Sequence, residues 1–271
     1  MRKRAADQAE KSQDEGAVDR QFVTALHRGL EVMRAFRPTD TSGLGNREIA
    51  ERTGLPNSTV SRLTYTLLKL EYLTYDDRTG RYRVGVPVLS LGYACLGGAW
   101  LRDTVQTHMQ RLADQCGDGV LVALGGRDRS AMTYIACARS IGAISLQLDV
   151  GSHISLARSA MGRAYIAGAS AREQAEITEM IQSRHSPEEA AQLEAGIADA
   201  ADQIRKTGFY CSLGYWQPEV HAVSVPFKSI HGGGVPMAFN LGGPSYLLPE
   251  QKLRNDLGPA LVSMVRTISD H

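Results

Sequence analysis

The side chains of this chain that could do covalent chemistry do not assemble into a site. Cys211 and His221 offer a thiol and an imidazole, but nothing at a matching spacing supplies the third group that would orient the ring. His231-Gly232-Gly233-Gly234 has the composition of an esterase oxyanion loop. The chain lacks the Gly-x-Ser-x-Gly elbow that such a loop serves, so a glycine-rich hairpin turn is expected. No HxxxH or HExxH spacing offers a metal site, and His153 and His185 are assigned no role. Cys95, Cys116, Cys137 and Cys211 form no CxxC pair. Without a secretory segment they are expected to be reduced and mostly buried in a cytoplasmic protein. The expectation is a protein that is not an enzyme and needs neither cofactor nor metal.

A different chemistry is offered by "NREIAERTGLPNSTVSRLTYTLLKLEYL", residues 46–73. Asn57, Ser58, Thr59, Ser61, Arg62 and Tyr65 stand on a stretch whose apolar residues Val60, Leu63, Leu67 and Leu70 recur at three and four. That spacing predicts a helix with one buried stripe. Short hydroxyl and amide groups let a helix sink into the major groove of DNA, and one guanidinium can fork onto a guanine edge or a phosphate. A merely solvated face would more often carry Glu and Lys.

The elements that must position these side chains follow from the flanking sequence. Phe22 to Phe36 carries Phe22, Leu26, Leu30 and Met33, with Val32 and Phe36 one place off, which predicts an amphipathic helix. Pro38, Gly43 and Gly45 break it into a loop. Asn46 is the expected cap of a helix over Arg47 to Thr53 that turns Ile49 and Ala50 inward. Gly54 suits a left-handed helix end and Pro56 the start of the next helix. In "YLTYDDRTGRYRVG" the period changes: Tyr72, Thr74, Tyr82 and Val84 alternate about a turn in which Gly80 supplies positive φ. Three helices and a basic hairpin make a winged helix-turn-helix, with Arg78, Arg81 and Arg83 placed to meet DNA backbone or minor groove. Charge agrees in sign. Residues 22–84 hold ten Lys or Arg against seven Asp or Glu, a net of +3, while the remainder from Gly85 holds fifteen against seventeen, a net of −2.

The ordered set EIA, TGLP-x-STV-x-RL, TL, YL and TGRY-x-VG within residues 47–85 resembles the N-terminal domain of the IclR family of bacterial transcriptional regulators. One departure falls at Lys69-Leu70-Glu71, where the family usually has a glycine before the tyrosine. It is expected to alter the approach to the wing slightly. Residues 85–103, with Val88, Leu89, Leu91, Leu96 and Trp100 and a weakening Gly97-Gly98 pair, are apolar on more than one side. The resemblance makes them a linker helix whose excess apolar face meets a second subunit.

From Thr104 onward helical and strand patterns mix. "VQTHMQRLADQC" reads as a helix, and "GVLVALGG" and "MTYIACARS" as strands joined by a Gly-Gly-Arg-Asp turn. Ile144, Leu146, Leu148 and Val150 alternate as a half-buried strand. "ARSAMGRAYIAGAS" opens a helix, and a further helical stretch begins at Ser186 with Glu189 in the capping-box position. "AVSVPF" and "VPMAFNLGG" alternate, and a helix closes the chain from Pro249 to about Ser269. This is an α+β module, residues 104–271, with helices flanking a mainly antiparallel sheet. "GSHISLARSAMGRAYIA", "IRKTGFYCSLGYWQPEVHAVSVPF" and "GVPMAFNLGGP" resemble the family's GAF-like effector-binding domain. The resemblance implies an effector cavity whose walls fall on Leu146, Leu148, Ile154, Met161 and Val220. It places further contacts at Ala160, Ser212, Ala222, Asn240 and Gly242. Backbone N–H groups at Ala160 and Met161 could then hold a carboxylate. Acid-binding relatives often carry an acidic or thiol group where this chain has Ser212 and Ala222, and Tyr215 and Trp216 suggest a roof for a larger or more aromatic acid.

The expected function is a cytoplasmic transcriptional regulator that binds double-stranded DNA, responds to a small organic acid and self-associates as a dimer or dimer of dimers. The rivals are a constitutive DNA-binding protein whose second module only oligomerises and an enzyme built on that module. No apolar run approaches the ~20 residues that span a bilayer, so no membrane partner is expected. Residues 1–21, polar and without an apolar core, read as a disordered tail.

Overall fold

The computed structural model describes residues 21–95, 104–140, 146–228 and 235–269. The tail up to residue 20, the part of the linker stretch that carries Leu96, Gly97, Gly98 and Trp100, Ile144 and the His231–Gly234 turn lie outside the described residues. The chain divides into two compact units, Met1–Gly92 and Tyr93–His271.

In the first unit, α1 (Thr24–Arg34), α2 (Asn46–Thr53) and α3 (Asn57–Lys69) precede the antiparallel hairpin β1 (Leu73–Asp76) and β2 (Arg81–Val84), and α4 (Pro87–Cys95) begins in it and runs past its end at Gly92. Val32, Leu44, Ile49 and Val60 form its buried centre, with Phe36, Leu63 and Leu67 packed around them. The helix α2 starts one residue earlier than expected. Gly45 is its cap, and the Gly45 N–H donates to the Glu48 carboxylate at 2.7 Å. Asn46 instead donates its amide to the Asn57 carbonyl at 3.2 Å, tying the two helix starts together. Gly54 (φ 69°) and Gly80 (φ 67°) occupy the left-handed conformations predicted for them. Glu71 does too, at φ 62°. The turn that a glycine would take with no steric cost is therefore kept by a residue with a Cβ.

Two apolar predictions change in this unit. Leu70 is exposed, and the position buried on α3 beside Val60 is Thr64, whose hydroxyl donates to the Val60 carbonyl at 3.0 Å and so needs no outside partner. On α1 only Val32 is buried, while Phe22, Leu26 and Leu30 are more than half exposed. The helix docks through its C-terminal half, and within the described residues of the chain its leading apolar face has no cover.

The second unit is built on one six-stranded antiparallel sheet in the order β5-β4-β3-β8-β7-β6. Its strands are β3 (Leu121–Asp128), β4 (Ala131–Arg139), β5 (His153–Ser155), β6 (Tyr210–Leu213), β7 (Val220–Lys228) and β8 (Pro236–Pro244). The flanking helices are α5 (Gln106–Cys116), α6 (Ala160–Gly168), α7 (Ala171–Arg184) and α8 (Pro187–Thr207), followed by the short α9 (Glu250–Lys252) and α10 (Gly258–Ser269). Alternation along the strands splits the core in two. Val122, Leu124, Val223, Val225, Phe239 and Leu241 pack toward Met109 and Leu112 of α5 and Leu261 of α10. Leu121, Ala123 and Ala238 face Met161 and Ala164 of α6 and Ile177 of α7.

Several predicted boundaries move, each for a local reason. The turn between β3 and β4 is Arg129-Ser130, with Arg129 at φ 56°; Gly125 to Asp128 remain in the strand after a bulge at Leu124/Gly125. Leu146 to Asp149 are not a strand. The Leu148 carbonyl is taken by the Arg139 guanidinium, and β4 bonds instead to Gly151 and Ser152. Ser186 caps α8 as predicted, accepting from the Glu189 N–H at 3.3 Å, but the Glu189 carboxylate turns away to Arg158 and His185. The last helix is broken by a π-helical turn at Leu253–Leu257. Pro259 cannot donate a backbone hydrogen bond, and the wider turn relieves the clash a proline makes one turn back.

Candidate functional site

The surface of α3 is set by what holds the helix from behind. Val60 is fully buried and Leu63 and Leu67 are half-buried, which leaves Asn57, Ser58, Ser61, Arg62 and Tyr65 exposed on the opposite side, with Thr59 half-buried at the margin. The Ser61 hydroxyl donates to the Asn57 carbonyl at 3.0 Å, so its oxygen keeps its acceptor capacity. Lys69 sits over the Tyr65 ring, 5.4 Å from its centre.

Ion pairs hold the frame around this helix. Arg52 of α2 donates to both Asp40 carboxylate oxygens, at 2.6 and 2.9 Å, and to the Ala35 carbonyl at 2.8 Å. That fork clamps the loop after α1 onto the helix pair, and the hydrogen bond from Arg52 lowers the Asp40 pKa to about 2. The wing is fixed by a two-way backbone bridge between Leu44 and Tyr82, at 2.9 and 2.8 Å. Of the three wing arginines, Arg78 and Arg83 are exposed. Arg81 is bound within the unit: it donates to the Gly43 carbonyl at 2.6 Å and pairs with Glu48 at 3.1 Å. Glu48 is drawn below the usual carboxylate range, first by the Gly45 N–H and then by this guanidinium.

In the second unit the residues implied as effector contacts gather on one face of the sheet. Ser212, Ala222 and Gly242 are register partners across β6, β7 and β8. Val220 and Asn240 lie two residues along on the same face. Ala160, at the start of α6, packs against Ala222 and Tyr210. Met161 and Ile154 join the adjoining cluster, against which Leu146 and Leu148 also pack. Ser159 caps α6 by accepting from the Gly162 N–H at 3.0 Å, and helix geometry leaves the Ala160 and Met161 N–H groups with no intrahelical acceptor. Gly162 lets this helix start approach the backbone just after β5: a Cβ there would lie 1.9 Å from the Leu156 carbonyl oxygen. Residue spacing had not marked Ser224, which is fully buried and donates to the Asn240 side-chain oxygen at 2.6 Å. Only knowledge that β7 and β8 pair in this register would have shown it.

The thiol–imidazole reading fails on chemistry. Burial pushes the Cys211 thiol up to about 11 and the Cys137 thiol up to about 12, so neither is a ready thiolate. His221 is engaged through Nδ1 with the Leu248 carbonyl at 2.8 Å. Among the described residues no group of His, Cys, Asp and Glu could hold a metal ion, and no helix is long and apolar enough to cross a membrane.

A winged helix-turn-helix followed by an α+β domain is the architecture of a transcriptional regulator, and comparison with known proteins bears on which kind. The family model for the IclR helix-turn-helix domain matches residues 25–77, and that for the bacterial transcriptional regulator IclR C-terminal domain matches residues 94–270. The chain belongs to the IclR family. It is 31% identical over 249 residues to the HTH-type transcriptional regulator TsaQ1/TsaQ2 of Comamonas testosteroni, covering 91% of this chain and 87% of that one. It is 36% identical over 151 residues to the Pca regulon regulatory protein of Pseudomonas putida, over 55% of this chain and 50% of that protein. Among solved structures, an IclR family transcriptional regulator from Brucella abortus superposes with a TM-score of 0.80 at 41% identity, over 94% of this chain and 96% of that one. An IclR homolog from Microbacterium hydrocarbonoxydans, solved with 4-hydroxybenzoate, shares the fold at a TM-score of 0.68 and 20% identity, over 91% of this chain and 99% of that one.

Proposed function

We propose that this regulator reads its operator with the exposed face of α3 and is switched by a small organic acid held in the second unit. The observation that carries the DNA contact is the division of α3 into a buried Val60 and an outward set of Ser58, Ser61, Arg62 and Tyr65. Asn57 and Thr59 flank that set, Arg62 takes a base edge or phosphate, and Arg78 and Arg83 meet the backbone beside it. Arg81 belongs to the same surface but acts by bracing the wing against Glu48 and Gly43.

The effector reading rests on the family and on the gathered face of Ser212, Ala222, Asn240 and Gly242 beside the free N–H groups of α6. The 4-hydroxybenzoate in a relative of the same fold guides the choice of test ligands. Residues 22–84, 85–103 and 104–271 are taken as reader, linker and sensor, acting in the cytoplasm where the operator lies. Self-association is supported by apolar side chains left open in the first unit: Phe22 just before α1, Leu26 and Leu30 on it, and Val86, Leu89 and Leu91 on and beside α4. A dimer places two copies of α3 on successive half-sites.

Two results test this reading. Arg62→Ala weakens binding to a selected operator by about 1–3 kcal/mol, the worth of one good base contact; an effect within twofold removes Arg62 from the reading face. Aromatic monocarboxylates shift operator affinity of the wild-type chain. Operator binding that no such acid alters at millimolar concentration favours a second unit that only oligomerises.

A further inference from the structure

Arg163 on α6 is a buried cation that the sensor face described above does not use. It is 4% exposed. Its Nε donates to the Ala157 carbonyl at 3.1 Å and its Nη1 to the Tyr210 hydroxyl at 2.6 Å. Both partners are neutral, and among the described residues no carboxylate pairs with the guanidinium. A guanidinium cannot shed its proton to escape burial, so an unmatched charge of this kind calls for an anion.

The space around the group is built for it. The Nη2 edge lies against Gly196 in the interior of α8, where a Cβ would come within 2.4 Å of it. Glycine inside a 21-residue helix is poor for helix formation, and here its bareness is what admits the guanidinium. The same edge opens on a cavity of about 480 Å³ lined by Arg158, Gln192, Asp199 and Tyr215 as well as Arg163 and Gly196. The Tyr215 ring stacks over the guanidinium carbon, its centre 4.9 Å away. Arg158 is already matched by Glu189, which also pairs with His185. Asp199 accepts from Gln203 at 2.8 Å and faces the cavity as a second charge.

We propose that this cavity between α6 and α8 takes the carboxylate of a small monocarboxylic acid, with Arg163 as its anchor. Asp199 and Glu189 oppose a polyanion there, and Asp199 offers an acceptor to a hydroxyl or amine at the far end of the ligand. Tyr210, whose hydroxyl accepts from Arg163, stands two residues before Ser212 on the same face of β6, so the anchor lies beside the Ser212–Ala222–Gly242 row. The regulatory meaning of the cavity rests on the sensor reading; the binding geometry does not.

The test is a titration of the ¹⁵N-labelled full chain with sodium benzoate, reading the Arg163 Nε–H signal, with benzamide as the neutral counterpart. Benzoate is raised to about 50 mM, well above the ~1 mM dissociation constant of so small a probe. A saturable shift of Arg163 with benzoate, absent with benzamide, is expected. Arg163→Lys keeps the charge but loses the fork, and weakens binding by about tenfold or more. Tyr215→Ala, at an exposed position that cannot unfold the core, weakens it severalfold and stands in if the lysine variant is unstable. An unmoved Arg163 signal, or affinity unchanged in both variants, overturns the assignment even if benzoate binds elsewhere in the unit. A shifted Arg163 with operator affinity indifferent to benzoate leaves the cavity standing and counts against the sensor reading.

Discussion

Asp40 and Glu71 show how single residues set the frame around α3. The Asp40 carboxylate is held near 2 by the Arg52 guanidinium that forks onto it. A depressed acid contributes stability above its unfolded pKa and loses it as pH falls through the folded value. The first unit therefore weakens as pH drops from about 4 toward 2. Asp40→Asn is less stable than wild type in denaturant titrations at pH 7 and converges with it near pH 2; equal stability at pH 7 would show the clamp to be idle. Glu71 carries the reverse lesson. It stands at φ 62° with a Cβ, and Glu71→Gly is expected to raise stability by about 0.5–1 kcal/mol, the left-handed penalty less the added freedom of the unfolded chain. A lower midpoint would mean that its side chain makes up the difference. The glycines at Gly54 and Gly80 were legible because only their backbone freedom mattered. Arg81 was not, since its type and wing position suit DNA equally well, and only the fold shows it spent on Gly43 and Glu48.

At the scale of elements, the pattern of apolar residues located most helices and strands but not what covers them. The stripe on α1 was real, yet Leu26 and Leu30 face outward, because period alone does not say whether a partner exists within the chain. The alternation from Leu146 to Val150 was also real, yet that segment is held by the Arg139 side chain and not by a ladder. The helix α7 left little signal, with only Ile177 and Ile181 buried along its length. The face proposed for the ligand depends on strand order: Ser212, Ala222 and Gly242 come from three strands that only the observed register aligns. Its closest approach is at Gly162, where α6 meets the backbone of Leu156. Gly162→Ala should cost about 3 kcal/mol through overpacking against a carbonyl that cannot rotate away, read as a lower thermal midpoint of the second unit. A change near zero would mean that α6 does not need this contact to hold Ala160 and Met161 in place.

For the whole molecule, the chain folds as two compact units, one carrying the helix-turn-helix with its outward arginines and the other the six-stranded sheet on which the proposed ligand face lies. The proposed switch requires that a ligand favour one arrangement of two paired copies over another, an effect typically worth 1–3 kcal/mol. Net charge alone, +1 for the entire chain, would not predict nucleic-acid binding; the +3 of residues 22–84 and the outward Arg62, Arg78 and Arg83 do. The most direct test is the salt dependence of operator binding by the full chain, with the operator selected from genomic fragments. If α3 and the wing engage phosphates as described, two copies release several counterions, and affinity falls about tenfold to a thousandfold between roughly 50 and 200 mM salt. A flat response to salt, or no fragment enriched by the selection, would contradict the account.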